Sequence, residues 1–134
     1  MQLPRTRQYS APHLELHTII NNDRIFATIC HHPTTGRPCT IIAQIFRDLQ
    51  PDELSYPTAD IEFLTTVWAA TALLPHFIGH TITIFSDLEL NHNPDMPPSG
   101  RRQRWRSTLG TIGYYSHVIL QRRHQSSSGN HHHN

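Results

Sequence analysis

The residues in this sequence most clearly suited to binding chemistry are arginines. All eleven of its basic side chains are arginine, and none is lysine. Four of them lie within six positions: Arg101, Arg102, Arg104 and Arg106. A guanidinium group binds phosphate oxygens through two parallel hydrogen bonds, and the neighbouring Trp105 would add a stacking surface for a base. The run therefore predicts a phosphate-binding surface. The alternative is the solvated face of an amphipathic helix whose Trp105 packs into the core.

A second group of reactive side chains surrounds two cysteines. Cys30 and Cys39 enclose His31, His32 and a turn that contains proline and glycine. Two cysteines do not make a disulfide framework, and their separation, with no Cys-x-x-Cys pair, matches no standard zinc pattern. We therefore expect two reduced thiols facing each other on paired strands. A zinc site that includes the histidines is the alternative.

Length and composition limit the class of protein. A chain of 134 residues with 37% hydrophobic residues is expected to form one domain with a core of moderate size. The net charge of +1 identifies no partner by itself. The apolar runs are too short to cross a bilayer, and the first residues lack the apolar segment of a secretory signal. We expect an intracellular protein with no membrane partner, in the cytoplasm or the nucleus.

The first third of the chain has the pattern of β-strands. Two sets of residues alternate there, namely Leu14, Leu16, Thr18 and Ile20 with Glu15, His17 and Ile19. A period of two predicts a strand, and the polar residues 21–23 after it predict a turn. Residues 25–30 and 39–46 are rich in β-branched side chains and predict two further strands.

The remainder of the chain alternates between helix and strand. A helix is predicted to begin near Thr58, with the hydroxyl of Thr58 or Ser55 as its cap. Asp60 and Glu62 are predicted in its first turn, where carboxylates favour the positive end of the helix dipole. Its buried stripe is predicted to be Phe63, Val67, Ala70 and Leu74. A strand over 81–86, a helix over 103–112 and a strand over 114–120 follow.

This order, β-β-β-α-β-α-β, predicts an α/β domain with a mixed five-stranded sheet and helices packed on it. We expect a flexible lead-in over residues 1–12, the domain over 13–122 and a disordered polar tail over 123–134. The tail is predicted from its serine-rich stretch and from the histidine run at 131–133.

Several segments resemble the ribonuclease H domain of gypsy-type LTR retrotransposons. The stretch from Tyr56 to Ala69, a Tyr-Pro-Thr turn followed by Glu62 and an apolar stripe ending in Trp-Ala, is similar to the opening of the family's central helix. Residues 51–58 resemble the Pro-x-Glu-x-x-Tyr-Pro-Thr lead to that helix, and residues 77–87 resemble Leu-x-Gly-x-x-Phe-x-Val-x-Thr-Asp. The resemblance runs from about Leu14 to His117 and implies the ribonuclease H fold.

The resemblance also implies a catalytic site, in which four carboxylates hold two divalent ions that hydrolyse the RNA strand of an RNA–DNA hybrid. Carried over to this chain, the family's glutamate is Glu62 and its second aspartate is Asp87. Ile19 stands where the first aspartate is expected, and Asp23 lies four residues further on. Residues 125–130 provide no fourth carboxylate. Since magnesium requires oxygen ligands, we expect an inactive site that holds no metal cofactor.

The resulting hypothesis is a non-catalytic ribonuclease H-like domain from a retrotransposon polyprotein, or from a host protein derived from one. Its expected role is structural, as a connection or interaction domain beside a reverse transcriptase, and its expected partners are adjacent domains. One alternative is weak cleavage of RNA–DNA hybrids with manganese through Glu62, Asp87 and Asp23. Another is an accessory nucleic-acid binder that uses the arginines: Arg101, Arg102, Arg104, Arg106, Arg122 and Arg123.

Overall fold

The computed structural model describes residues 13–32, 38–88 and 100–123. The strands it describes are β1 (His13–Asn21), β2 (Arg24–His32), β3 (Thr40–Asp48), β4 (Thr81–Phe85) and β5 (His117–Gln121). The same residues contain the α-helices α1 (Thr58–Leu73), between β3 and β4, and α2 (Gly100–Tyr115), between β4 and β5. The predicted order of elements is therefore confirmed. The predicted lead-in and residues 124–134 of the predicted tail lie outside the described residues.

The strands form one mixed five-stranded sheet, as predicted, and their order in it is β3-β2-β1-β4-β5. β1, β2 and β3 are antiparallel neighbours, and the turn between the first two contains Asn22 at a φ of 59°. Asparagine adopts this left-handed conformation more readily than most residues. β4 runs parallel to β1, and β5 runs parallel to β4. The C-terminal ends of β1, β4 and β5 consequently meet at one end of the sheet, where the site residues collect.

The helices pack on the sheet and on each other. α1 contacts β1 and β2, and α2 contacts α1 and β5. The main core is formed by Leu14, Leu16, Ala27, Ile29, Ala69, Ala70, Leu73, Phe77, Ile82, Ile84 and Ile112. In the predicted stripe of α1, Phe63, Val67 and Ala70 are buried, while Leu74 is half-buried in the 3-10 turn Leu74–His76 that follows the helix. Gly79, with a φ of 83°, then lets the chain turn into β4.

The predicted boundaries of α2 and β5 were wrong, and β5 begins at His117 rather than at residue 114. α2 is three residues longer at each end than the predicted 103–112, and it includes Tyr114 and Tyr115. These tyrosines have high strand propensity, but they remain helical and exposed, and the helix ends where Ser116 donates its hydroxyl to the carbonyl of Phe77 over 2.9 Å. The predicted cap of α1 by a hydroxyl was also wrong. The N-cap is Pro57, with no side-chain hydrogen bond.

The sheet face turned away from the helices exposes an apolar row, which consists of Ile19, Phe26 and Phe46. Ile19 on β1 lies opposite Phe26 on β2, and Phe26 lies opposite Phe46 on β3. The rings of Phe26 and Phe46 are 5.8 Å apart, and Ile19 and Phe46 are 63% and 59% exposed.

Among the described helices, none is both long enough and apolar enough to cross a membrane.

Cys30 and Cys39 are joined by a disulfide, with their Cα atoms 5.6 Å apart. The expectation that the two residues face each other is confirmed, but the expectation of two reduced thiols was wrong. Cys30 lies opposite Ile41 in the ladder of β2 and β3, and Cys39 comes just before β3. Strand pairing therefore brings the two sulfur atoms within bonding distance.

Candidate functional site

Glu62 and Asp87 meet where β4 ends. Glu62 lies in the first half of α1, and Asp87 is the second residue after β4. Oε2 of Glu62 accepts hydrogen bonds of 2.9 Å from the backbone N–H of Asp87 and 2.9 Å from the hydroxyl of Ser86. Glu62 is only 8% exposed. Its carboxylate is therefore held in place by defined donors. Of the two carboxylates predicted in the first turn of α1, only Asp60 lies there, so the prediction for Glu62 was wrong.

Arg123 places a guanidinium group between these two carboxylates. Its Nη2 donates to Oε2 of Glu62 over 2.9 Å, and its Nη1 donates to Oδ2 of Asp87 over 3.2 Å. A longer contact of 3.4 Å joins Nη1 to Oε1 of Glu62. The backbone N–H of Arg123 donates to Oδ1 of Asp87 over 3.1 Å. The residue was predicted to begin the disordered tail, and instead it closes the site by following β5.

The residue that β1 contributes to this site is Thr18 rather than Ile19. The hydroxyl of Thr18 accepts a hydrogen bond of 2.8 Å from Nη2 of Arg123, and Thr18 is 3% exposed. Ile19 points to the opposite face of the sheet, where it is 63% exposed. Ile19, which the resemblance places at the first aspartate position, therefore does not face Glu62 and Asp87. Because successive side chains of a strand alternate between its faces, a shift of one residue moves a side chain out of the site.

The other candidate carboxylates do not reach this site in the described residues. Asp23 lies exposed in the turn between β1 and β2, and its backbone carbonyl accepts a hydrogen bond of 2.7 Å from Leu49. Within residues 13–32, 38–88 and 100–123, the carboxylates that bond to Arg123 are those of Glu62 and Asp87. Residues 125–130, where the resemblance places a fourth carboxylate, lie outside the described part of the chain.

Two arginines of the predicted phosphate-binding run are engaged within the domain. Arg101 donates to Oδ2 of Asp60 from Nε over 3.0 Å and from Nη2 over 2.6 Å. Arg102 donates to Oδ1 of the same carboxylate from its Nε. Asp60 is 2% exposed, and the guanidinium of Arg101 also lies 4.0 Å from the centre of the Tyr56 ring. These contacts fasten α2 to the first turn of α1, so the two side chains contribute to helix packing.

The remaining residues of the run, Arg104, Trp105 and Arg106, differ in their exposure to solvent. In the described residues, Arg104 and Arg106 form no ion pair with a carboxylate; Arg104 is exposed and Arg106 is half-buried. Trp105 packs 5.3 Å from the ring of Phe63 and 6.2 Å from that of Tyr56. The alternative in which Trp105 turns into the core is therefore confirmed, and a stacking surface at this residue was a wrong prediction.

Three residues of the site were not predicted from the sequence: Thr18, Ser86 and Arg123. The alternation in β1 does contain the signal for Thr18, since it places this residue on the face of Leu14 and Leu16, which are both buried. Ser86 directly precedes Asp87, but its bond to Glu62 joins residues 24 positions apart. Arg123 is 61 positions from Glu62, and no local pattern distinguishes it from the neighbouring arginine.

Comparisons with known proteins bear on the fold and the family of this chain. None of the curated proteins compared with this sequence matches it. Among solved structures, the fold is similar to that of a foamy virus protein, in the structure of its protease-reverse transcriptase in complex with dsDNA, with a TM-score of 0.60 and 13% sequence identity. The alignment covers 84% of this chain and 24% of the viral chain. The family model described as the RNase H-like domain found in reverse transcriptase matches residues 7–115. The chain therefore belongs to the family of RNase H-like domains found in reverse transcriptase.

Proposed function

We propose that this chain is a catalytically inactive RNase H-like domain with a structural role in a larger protein of the reverse transcriptase type. The observation that carries the proposal is the position of Arg123. Its guanidinium bonds to Glu62 and Asp87, the two carboxylates that would have to bind the divalent ions of a two-metal site. An arginine side chain stays positively charged in proteins, so it offsets one of the two negative charges without a metal.

The residues present do not fit two divalent ions. A magnesium ion needs oxygen ligands in nearly octahedral order, and a pair of ions needs a carboxylate that bridges them. The strand β1 contributes Thr18 at this point, and its neutral hydroxyl accepts a hydrogen bond from Arg123. An ion near Glu62 would also face the positive guanidinium within a few ångströms. Both the ligand set and the local charge therefore argue against a two-metal centre.

The alternative of weak cleavage with manganese has less support. Asp23, the third carboxylate that this alternative could use, lies in the exposed turn between β1 and β2. Activity would also require Arg123 to leave the site, which would break its bonds to two carboxylates and to Thr18. Such a movement would leave two negatively charged groups facing each other.

The proposed partners are adjacent domains of the same larger protein. This chain corresponds to 24% of the foamy virus protease-reverse transcriptase chain that it resembles, so neighbouring domains would surround a domain of this kind. The apolar row offers a surface for such a neighbour, because Ile19 and Phe46 are more than half exposed on one sheet face. Exposed apolar clusters of this type commonly mark protein interfaces. A gypsy-type or host-derived origin would be consistent with this role.

We propose nucleic-acid contact as an accessory function that uses fewer arginines than the sequence run contains. Arg101, Arg102 and Arg123 bond to carboxylates of the domain. Arg104 and Arg106 are the members of the run that form no ion pair within the described residues. The foamy virus protein was solved with dsDNA, and for this chain we propose at most a weak, sequence-independent contact through these two side chains.

Cleavage of a labelled RNA–DNA hybrid tests the main proposal. The native chain would be assayed with magnesium and then with manganese, beside Asp87→Asn and the double variant Thr18→Asp/Arg123→Met. Ile19→Asp is the matched control for Thr18→Asp, because it adds the same carboxylate on the opposite sheet face. We expect no cleavage by the native chain with either ion. Cleavage by the native chain that Asp87→Asn abolishes would overturn the proposal.

The structural role requires a second test. When the domain is produced within its larger protein, Ile19→Glu/Phe46→Glu should increase proteolysis between this domain and its neighbour, because two charges would enter the interface. Ile78→Glu is the control, since Ile78 is 49% exposed in the turn after α1. Equal proteolysis of both variants and the native protein would exclude the apolar row as the docking surface.

A further inference from the structure

A cluster of metal-binding side chains lies on the sheet face away from the helices, at the end of β1 opposite the carboxylate site. Its centre is Glu15, which is partly buried. Nε2 of His17 lies 3.0 Å from Oε1 of Glu15, and Nε2 of His13 lies 3.3 Å from Oε2. Nε2 of His32, on the neighbouring strand β2, lies 4.0 Å from Oε2. One carboxylate is thus surrounded by three imidazoles.

The two cysteines adjoin this cluster. Cys30 lies directly opposite Glu15 in the ladder of β1 and β2, and Sγ of Cys39 lies 4.0 Å from Oε1 of Glu15. Two sets of three donor atoms lie within 4.8 Å of one another: Glu15, His32 and Cys39, and Glu15, His17 and Cys30. Both sets contain Glu15, and the disulfide joins the cysteines of the two sets.

We propose that reduction of the Cys30–Cys39 disulfide creates a binding site for one zinc ion. The ligands are the thiolates of Cys30 and Cys39, the carboxylate of Glu15 and one imidazole, from His17 or His32. Zinc binds sulfur, nitrogen and oxygen ligands of these types in tetrahedral sites. The proposal concerns a different part of the domain from the proposed function and does not depend on it.

The geometry supports a single ion with four ligands. Tetrahedral zinc with bonds of about 2.0–2.3 Å holds its ligand atoms roughly 3.3–3.8 Å apart. In each set the three donor atoms lie within 4.8 Å of one another, and the disulfide bonds the sulfur of that set's cysteine to the second cysteine. The four ligand atoms are therefore neighbours, and the main movement that zinc binding requires is separation of the two sulfurs after reduction. The ring of His17 is already oriented, because it stacks on Phe85 with centroids 4.7 Å apart and planes 6° apart.

Reduction of the disulfide requires two electrons, and zinc binding then releases two protons. A thiol or dithiol reductant transfers two electrons to the disulfide, so that the S–S bond breaks and the reductant becomes a disulfide itself. Each cysteine sulfur takes up a proton as it becomes a thiol. Zinc then binds both sulfurs as thiolates, and the two protons are released. The same two cysteines therefore form either a cross-link between β2 and the start of β3 or two bonds to zinc.

Cobalt absorption spectroscopy of the full chain tests this proposal. The protein would be reduced with a phosphine, which avoids competing thiols, and titrated with Co²⁺ and then with Zn²⁺. We expect one Co²⁺ per chain with an intense sulfur-to-cobalt absorption, which Zn²⁺ removes by displacement. The oxidised protein should lack this absorption. The histidine run at 131–133 contains no sulfur, so ions bound there do not contribute to it.

Variants identify the remaining ligands. His17→Ala/His32→Ala should weaken zinc binding by about tenfold or more, since it removes both candidate imidazoles. Glu15→Ala should weaken it similarly, and His76→Ala, an exposed residue outside both donor sets, should leave it unchanged. Absence of the sulfur-to-cobalt absorption in the reduced native chain would overturn the proposal. So would an absorption that persists in full in both the double histidine variant and Glu15→Ala.

Discussion

Arg123 and Glu62 lie 61 positions apart in the sequence and are joined by two side-chain hydrogen bonds, of 2.9 Å and 3.4 Å. The same guanidinium contacts Asp87 and Thr18. One residue after β5 thus links β1, α1 and the segment that follows β4. Its charge offsets part of the repulsion between two carboxylates that the fold holds close together.

Replacing Arg123 should destabilise the domain and create a weak site for divalent ions. Arg123→Met removes the positive charge and leaves Glu62 and Asp87 facing each other. Because these groups are only partly exposed, we expect a loss of about 1–3 kcal/mol in the free energy of unfolding. Magnesium or manganese at millimolar concentration should recover part of this loss by binding the native state. Denaturant unfolding with and without each ion measures both effects.

Arg104→Met is the matched control for this prediction, since Arg104 is exposed and forms no ion pair within the described residues. Its stability should change by no more than about 0.5 kcal/mol and should not respond to the ions. If Arg123→Met were as stable as the native chain and equally insensitive to both ions, the guanidinium would not be the counter-ion of this site.

Replacing Asp60 should weaken the packing of α2 on α1 and lower the stability of the domain. Asp60→Ala leaves the guanidinium groups of Arg101 and Arg102 without the buried carboxylate that they share. Loss of one partner of a buried ion pair typically costs about 3–5 kcal/mol. We expect a loss near the lower end, because both arginines are partly exposed, and urea denaturation measures it. Asp52→Ala, in the exposed turn before α1, should have little effect, and equal losses for the two variants would contradict this account.

The ion pair of Glu53 and Arg47 should make stability depend on pH. Arg47 donates to both oxygens of Glu53, over 2.9 Å and 3.1 Å. These hydrogen bonds lower the pKa of Glu53 below its ordinary value of 4.5, although burial acts in the opposite direction. A group with a lowered pKa stabilises the folded state above its unfolded pKa, and this contribution disappears as the pH falls through the folded pKa.

Glu53→Gln should therefore be less stable than the native chain at pH 7, by about 1–2 kcal/mol. The difference should shrink as the pH falls below about 4.5 and vanish at lower pH. Denaturant unfolding at a series of pH values measures it. Asp52→Asn serves as the control, since it removes a neighbouring carboxylate that is exposed. A difference that stayed constant between pH 7 and pH 3 would contradict the assignment.

Nucleic-acid binding by this chain should depend only weakly on salt. Each neutralised phosphate contributes about 0.9 to the slope of log K against log salt for duplex DNA. With Arg104 and Arg106 as the contacts, we expect a slope of magnitude below about 3. Fluorescence anisotropy with a labelled duplex measures this slope, and Arg104→Gln/Arg106→Gln should bring it close to zero. A much steeper slope that Arg101→Gln reduces would mean that Arg101 binds phosphate rather than Asp60.

The sequence by itself determined the architecture of this protein. The period of two over residues 14–20, the apolar stripe from Phe63 to Leu74 and the β-branched runs specify strands and helices through local geometry. The order of these elements along the chain then allows only a few arrangements of strands in the sheet. The resemblance of residues 51–58 and 77–87 to the retrotransposon family also indicated Glu62 and Asp87 as candidate carboxylates. These features depend on residues near one another in the chain, so a sequence pattern contains them.

Only the tertiary structure decided what those carboxylates contact. The choice between Thr18 and Ile19 depends on which face of β1 meets α1, and a register error of one residue reverses it. The partners of Asp60 and Glu62 are arginines 41 and 61 positions away. A charged side chain bonds to whichever opposite charge the packed elements bring within about 3 Å. For that reason, arginines that were predicted from the sequence to bind phosphate are bonded to the protein's own carboxylates.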